Sequence, residues 1–331
     1  ILNMLNPKAY LQKNILNKGK LKQKSTRDGY GQGLVETGRK NKKVVVLCGD
    51  LTDSTRSKMF RDAFPERFIE CGVAEQNMVG LAAGLALSDK IPFVSSFAVF
   101  CPGVSWSQIR VLVGQNNANV KIAGSHAGIS VGPDGMSHQA LEDIAIMRCL
   151  PNMVVLAPCD SIETKKAVLA IAKYKGPVYL RFARESTPVF TTENTPFVIG
   201  RAEIFKTGKD ATIIACGPLV YNSLAAAERL NKEGISVGVI NNHTIKPIDE
   251  KTIIRAAQET KAIVTVEDHQ IMGGMGSAVA EVLSKNYPVP IEMLGIQDKW
   301  GESGESKELI KKYGLGIDSI IKAVKKALKR K

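Results

Sequence analysis

The sequence predicts an α/β protein with two domains, each built on a largely parallel sheet. Three observations predict it. β-branched runs alternate with helix-like segments from residue 44 to 182. A polar stretch at 183–200, with Pro188 and Pro196, breaks that alternation. A second alternating set then runs from 211 to 328. Strand–helix alternation points to parallel strands with helical crossovers, and a polar, Pro-marked break points to a connection between domains. At roughly 100–200 residues per domain, 331 residues hold two.

The elements follow in order. Residues 44–47 (Val-Val-Val-Leu) read as a strand, and 75–88 as a helix of small and apolar residues. Strand 92–95, helix 104–113, strand 120–123 and helix 138–148 come next. Strand 153–156, helix 162–172 and strand 178–182 complete the first set. The second set has strands at 211–216, 237–240, 262–266 and 289–294. Its helices are 219–232, 249–258, 276–284 and 317–328. The expected division is a basic N-terminal extension at 1–24, a first domain at 25–185, a linker at 186–197 and a second domain at 198–331.

The net charge of +13 invites a nucleic-acid reading until it is located. Residues 1–24 hold six Lys and no acid, and residues 322–331 hold five Lys and Arg330 with no acid. The body between them is nearly neutral, so nucleic acid is not the expected partner and the two ends read as solvated tails. No apolar run reaches the ~18–20 residues of a membrane span, and no secretory h-region is present. Cys48, Cys71, Cys101, Cys149, Cys159 and Cys216 are scattered without C-x-x-C spacing, as expected of reduced thiols in a cytoplasmic protein. The four His lack metal-ligand spacing, and no metal ligand is expected from this chain.

In open α/β sheets ligands bind beyond the carboxyl ends of strands, so the loops there carry the chemistry. One places Glu75 at the tip of a helix, where a carboxylate also complements the helix dipole. That helix carries Gly80 and Gly84 on one face, a spacing that permits close approach by another helix. A second loop follows 92–95 with Phe97 and Phe100, a platform for a flat heterocycle. A third, 123–139, is Gly-rich and brings His126, Asp134 and His138, with Ser137 expected to cap a helix. A fourth ends a strand with Arg181 and Arg184, and Arg suits bidentate phosphate recognition. Gly273-Gly-Met-Gly276 reads as a strand-to-helix turn rather than an anion site. Gly49-Asp50-Leu51 with Asn77 lacks the second Gly and the paired Asn of a thiamine-diphosphate metal motif.

Taken together these loops resemble the transketolase family of thiamine-diphosphate enzymes, in particular the C-terminal subunit of a split, two-subunit transketolase. The resemblance runs from about Ser25 to Lys325. It rests on Thr26-Arg27-Asp, Gly49-Asp50-Leu51, Gly72-Val-Ala-Glu75-Gln-Asn-Met, Ser96-Phe97-Ala-Val-Phe100, Gly-Ser-His126, Pro133-Asp134-Gly and Ser137-His138-Gln. Lys246-Pro-Ile-Asp249 and Trp300-Gly-Glu-Ser-Gly304 extend it into the second half. The resemblance implies a pyrimidine-binding domain at 25–185 and a transketolase C-terminal domain at 198–331. The family's diphosphate-binding domain, with its GDG…N motif, has no counterpart here. A partner N-terminal subunit is therefore implied, supplying the Mg²⁺ ligands and diphosphate contacts of thiamine diphosphate in an α₂β₂ assembly.

By the same resemblance Glu75 is catalytic, bonding N1′ of the cofactor's aminopyrimidine. Phe100 and secondarily Phe97 line that ring, and Asp50 lies near the cofactor. Where some relatives carry a further Tyr, Gly103 stands here. His138 would contact the donor's C1 oxygen as a second catalytic group, and Asp134 would read a C2 hydroxyl. Arg27, Ser54, His126 and Arg184 match positions that clamp a sugar phosphate. The implied reaction moves a two-carbon glycolaldehyde unit from a ketose phosphate to an aldose phosphate. A 2-oxoacid dehydrogenase β subunit would share Glu75 but has no use for the phosphate clamp. Deoxyxylulose-phosphate synthase shares these loops on a longer chain, and a non-catalytic interaction protein is the rival outside the superfamily.

Overall fold

The computed structural model describes residues 5–16 and 18–331. The first half comprises β1 (Gln23–Ser25), α1 (Thr26–Lys40), β2 (Val44–Cys48), α2 (Lys58–Ala63), β3 (Phe68–Glu70), α3 (Glu75–Leu87), β4 (Ile91–Phe97), α4 (Trp106–Gln108) and β5 (Lys121–Ser125). It continues through α5 (Asp143–Arg148), β6 (Val154–Leu156), α6 (Ser161–Ile171), β7 (Val178–Arg181) and β8 (Ser186–Pro188). The second half comprises β9 (Glu203–Lys206), β10 (Ala211–Ala215), α7 (Leu219–Lys232), β11 (Val237–Asn241), β12 (Thr244–Lys246) and α8 (Glu250–Thr260). It ends with β13 (Ile263–Gln270), α9 (Met275–Asn286), β14 (Ile291–Ile296), α10 (Ser306–Lys312) and α11 (Ile317–Lys329).

The first sheet runs β6-β7-β5-β4-β2-β3, and every one of these pairs is parallel. Its central strands are buried along nearly their whole length and largely apolar, polar residues gathering at their ends, as a helix-covered parallel sheet requires. The second sheet runs β14-β13-β10-β11-β9, parallel except for β9. The halves are interlocked. β12 comes from the second half but pairs antiparallel with β6 at the edge of the first sheet. No helix among the described residues is long and apolar enough to cross a membrane.

Four local expectations are corrected. The helix expected at 138–148 covers only Asp143–Arg148. Residues before it form a turn, a bridge and a bend, because Ala140 bridges Ala127 and Leu141 accepts from Gln270 N–H across the domain boundary. Ser137 therefore caps no helix, and its hydroxyl bonds His138 Nδ1. The linker is not irregular throughout. Ser186–Pro188 forms β8 on β1, which sets Arg184 beside the start of α1.

Nor are the basic ends free tails. In the N-terminal extension Ala9, Ile15 and Leu21 are buried against Phe190 and Phe205, and Asn6 bonds the backbone of β9. At the other end the apolar face of α11 packs into the second core. Lys325 pairs with Glu233, while Lys326 and Arg330 share Glu292.

α1 has no counterpart among the expected elements. Its start is marked by a capping box, in which Ser25 Oγ accepts from the first turn and Asp28 accepts from Ser25 N–H. Gly29, Gly31, Gly33 and Gly38 lower its propensity, and the reason lies in packing. A Cβ on Gly29 would stand 2.0 Å from Ser161 O at the head of α6.

Candidate functional site

The carboxyl ends of β2, β4, β5 and β7 all open on one edge of the first sheet, and the start of α1 joins them there. Glu75 is the first residue of α3, buried to 8% exposure. Ser96 Oγ, at the end of β4, donates to Glu75 Oε1 at 3.4 Å. Gly49 leaves bare backbone beside it, since a Cβ there would lie 3.5 Å from Glu75 Oε1.

Phe97 and Phe100 lie nearly parallel, 15° apart with centroids 6.0 Å apart. One face of Phe97 is covered by the His126 ring at 3.7 Å. Phe100 is only partly buried and meets His138 edge-on at 5.5 Å. Of the two phenyl rings, Phe100 is thus the less enclosed.

A cationic group forms next to these rings. Arg27 Nη1 donates to Ser54 O at 2.9 Å, so Ser54 enters through its carbonyl. Among the described residues, Arg27 Nε is buried without a hydrogen-bond partner. Burial, then the charge of Arg56, lowers the Arg27 pKa, and Arg184 adds to this. Arg184 Nη1 donates to Val131 O at 3.0 Å and to Asp134 Oδ1 at 3.2 Å. His126 is buried with its Nδ1 2.8 Å from Ser125 Oγ. Burial, followed by the charges of Arg27 and Arg184, pushes its pKa down to about 3. A neutral imidazole among three guanidinium groups offers one N–H donor and one acceptor nitrogen rather than a further charge. An orphaned guanidinium N–H within a cluster of like charge is the setting in which a phosphate or sulfonate is well held.

Asp50 follows Gly49 just beyond β2. It is exposed at the end of β2, with φ 56°, and its N–H donates to Glu70 Oε1 at 2.7 Å. The remaining residues expected on sequence grounds come together: Glu75, Phe97, Phe100, His126 and His138 through β4, β5 and their loops, and Arg27, Ser54, Asp134 and Arg184 beside them.

Sequence reasoning missed four neighbours. Arg56, at φ 67°, is tied to Asp28 by Nε–Oδ1 at 2.8 Å and faces the cationic group. The Ser25-x-x-Asp28 capping box was legible and would have placed Asp28. Ser96 directly precedes Phe97, yet a lone Ser at a strand end gives no sign that it bonds Glu75. Glu70 accepts from Asp50 N–H, Gly72 N–H and Thr52 Oγ, and only the fold shows that it shapes this loop.

The turn at 273–276 is closed from inside. Both Glu267 oxygens accept from the start of α9, from Met275 N–H at 2.6 Å and Gly276 N–H at 2.8 Å. Burial pushes the Glu267 carboxyl up to about 8. Among the described residues no group of three or more His, Cys, Asp or Glu is placed to hold a metal ion.

Comparison with known proteins gives consistent findings. The family described as transketolase, pyrimidine binding domain, matches residues 22–189. The transketolase C-terminal domain family matches residues 200–320. A Methanocaldococcus jannaschii protein named putative transketolase C-terminal section is 49% identical over 93% of this chain and 97% of its own length. Rattus norvegicus transketolase is 40% identical over 91% of this chain, which spans only 48% of that longer protein. A solved structure described as split gene transketolase, inactive beta4 tetramer, superposes with a TM-score of 0.88 at 46% identity. That match covers 93% of this chain and 99% of the other.

Proposed function

The chain belongs to the transketolase family, and on that premise we propose that it is the C-terminal subunit of a two-subunit transketolase. It would move a glycolaldehyde unit between a ketose phosphate and an aldose phosphate. The observation that carries this reading is the convergence, on one sheet edge, of a buried helix-tip carboxyl, a partly open phenyl ring and a three-guanidinium anion site.

The cofactor fits that edge. Glu75 is a buried carboxyl with bare backbone at Gly49 beside it, and Phe100 offers a partly open ring on the same edge. Thiamine diphosphate, when bound, supplies the nucleophilic carbon and the electron sink for breaking a bond next to a carbonyl. Glu75 would hold a proton at N1′ of the aminopyrimidine, which sets the tautomer of that ring. Phe100 would pack on the ring and exclude water. His138, whose Nδ1 faces Ser137 Oγ at 2.9 Å, would present Nε2 to the substrate's C1 oxygen. Asp134 would accept from a C2 hydroxyl. Arg27, Arg184 and neutral His126 would hold the terminal anion of the sugar, with Ser54 orienting Arg27.

The diphosphate and Mg²⁺ contacts would come from a partner subunit. The chain's coverage of about half of the rat enzyme supports this, as does the related split-gene β tetramer, which is described as inactive. The face of α3 also supports association. A Cβ placed on Gly84 would meet nothing within 4 Å, and Leu81 and Leu87 are exposed. An α₂β₂ assembly in the cytoplasm, serving pentose phosphate interconversion, completes the reading.

The test is reconstitution. The chain alone should transfer no glycolaldehyde. Mixed with a partner bearing the GDG…N motif, thiamine diphosphate and Mg²⁺, it should convert a ketose phosphate and an aldose phosphate at rates of ~1–10³ s⁻¹. Full activity of the chain alone would refute the two-subunit reading.

A further inference from the structure

We propose that Asp268, on the C-terminal domain, is a positioning residue for the substrate-reading loop of the first domain. The proposal deepens the transketolase reading and rests on it for the identity of the substrate. The loop is residues 128–138, which carries Asp134 and His138. It has little regular structure of its own beyond one turn at Ile129–Val131. Gly128, Gly132 and Gly135 all have positive φ, at 89°, 83° and 73°. A loop of this kind needs outside ties to keep one shape.

Those ties come largely from the second half of the chain. Asp268 Oδ1 accepts from Ile129 N–H at 2.8 Å, and Oδ2 accepts from Ser130 N–H at 3.3 Å. One carboxylate thereby holds two successive backbone donors of the turn. The contact is tight, since a Cβ on Gly128 would stand 2.2 Å from Asp268 Oδ2. Further along, Gln139 Nε2 joins Ile129 O, Gly132 O and Glu302 O. A Cβ on Gly135 would meet Ser303 Oγ at 2.5 Å.

Asp268 is itself fixed. Arg181 Nη2 donates to its carbonyl at 2.6 Å, and Arg181 Nε is paired with buried Asp143 at 2.8 Å. Tyr179 OH donates to the same Asp143 oxygen at 2.6 Å. All four side chains are at least nine-tenths buried. Burial raises the Asp268 pKa, while Arg181 and the loop donors oppose the rise and favour the charged acceptor. The line runs from the second domain through Asp268 to the turn, and along the loop to Asp134 and His138. Asp268 touches neither substrate nor cofactor in this scheme. It sets where the reading groups stand.

Asp268→Asn keeps the shape but turns one acceptor into a donor, leaving one loop N–H unpaired. Two measurements test the proposal. In the full chain, hydrogen exchange of amides in 128–138 should speed up at least tenfold, with α7 and β11 unchanged. In the reconstituted complex, discrimination between an aldose phosphate acceptor and its 2-deoxy analogue, as the ratio of kcat/KM, should fall at least tenfold. A role confined to stability would lower both kcat/KM values equally. Unchanged exchange overturns the proposal, and so does faster exchange with discrimination intact. If Asp268→Asn does not fold, Gly128→Ala displaces the loop from an intact Asp268 and is read by the same two criteria. Should the wild-type complex transfer nothing, the transketolase reading fails, and the exchange experiment still decides whether Asp268 holds the loop.

Discussion

Among the described residues, the Arg27 guanidinium donates to Ser54 O and has one buried N–H without a hydrogen-bond partner. Arg184 instead spends its guanidinium on Val131 O and Asp134. The two arginines therefore differ in what their loss would cost. Arg27→Ala should raise KM for phosphorylated sugars by about 10–100-fold, the weight of one charge-assisted hydrogen bond to an anion. KM for unphosphorylated analogues should stay within about twofold, as measured by steady-state kinetics in the reconstituted complex. Equal losses on both substrates would remove Arg27 from the anion site. At this scale Glu75, at the tip of α3, and His126, His138 and Arg184 were legible because they follow strands, whereas Arg27 and Ser54 were reached only through the resemblance. Arg56 was not legible. Its left-handed φ and its tie to Asp28 are set by a loop conformation that no spacing rule encodes.

Two glycine-bearing helices, α1 and α3, show how one composition serves two purposes. Gly29 in α1 has Ser161 O where a Cβ would go, a backbone atom that cannot step aside. Gly29→Ala should destabilise the chain by about 1–3 kcal/mol or more through overpacking. Gly84 in α3 faces open space. Gly84→Ala should stabilise the isolated chain, by up to about 1 kcal/mol of helix propensity, while weakening its association with other subunits. Urea titration of the single chain and sedimentation of the assembly would check both. If both variants moved stability in the same direction, the contrast between a filled and an open face would be wrong. Helix α3 was readable from its apolar content and its start at Glu75. Helix α1 was not, because four glycines hide its period, and they are tolerated only because α6 and α2 lie close. The reverse error at 138–148 has a matching cause. Residues 140 and 141 are helix-compatible, but their backbone is used by Ala127 and Gln270.

Across the whole molecule, polar groups are buried where the two halves meet. Glu163, on α6, accepts from Cys159 N–H at 2.6 Å and from Asn241 Nδ2, on β11, at 2.7 Å. Burial raises its pKa to about 7, from 4.5. The folded state thus binds a proton between about pH 4.5 and 7 that the unfolded state has lost, so this group's contribution to stability falls as pH rises through that window. Glu163→Gln removes the titration. The stability of Glu163→Gln relative to wild type should shift in favour of the variant between pH 5 and 8, on the order of 3 kcal/mol. Urea midpoints at the two pH values would measure it, and a difference independent of pH would show that Glu163 stays ionised in the fold.

The sequence by itself determined the class of fold, most strands of both sheets, though not β3, β9 or β12, and which residues stand in most of the loops after those strands. Local pattern is enough for these, because a buried parallel strand is mostly apolar and a loop after it need obey few packing rules. It also located the charge of +13 at the two ends of the chain. Only the tertiary structure decided what those ends do. The described part of the first segment anchors on the second domain through Ala9 and Ile15, and Lys325 and Lys326 of the last helix, with Arg330 just after it, pair with Glu233 and Glu292. Only the tertiary structure placed β12 in the other half's sheet and Asp268 beneath the loop of Asp134 and His138. Such contacts join residues far apart in the chain, and they are set by how two cores close on each other rather than by any periodicity along it.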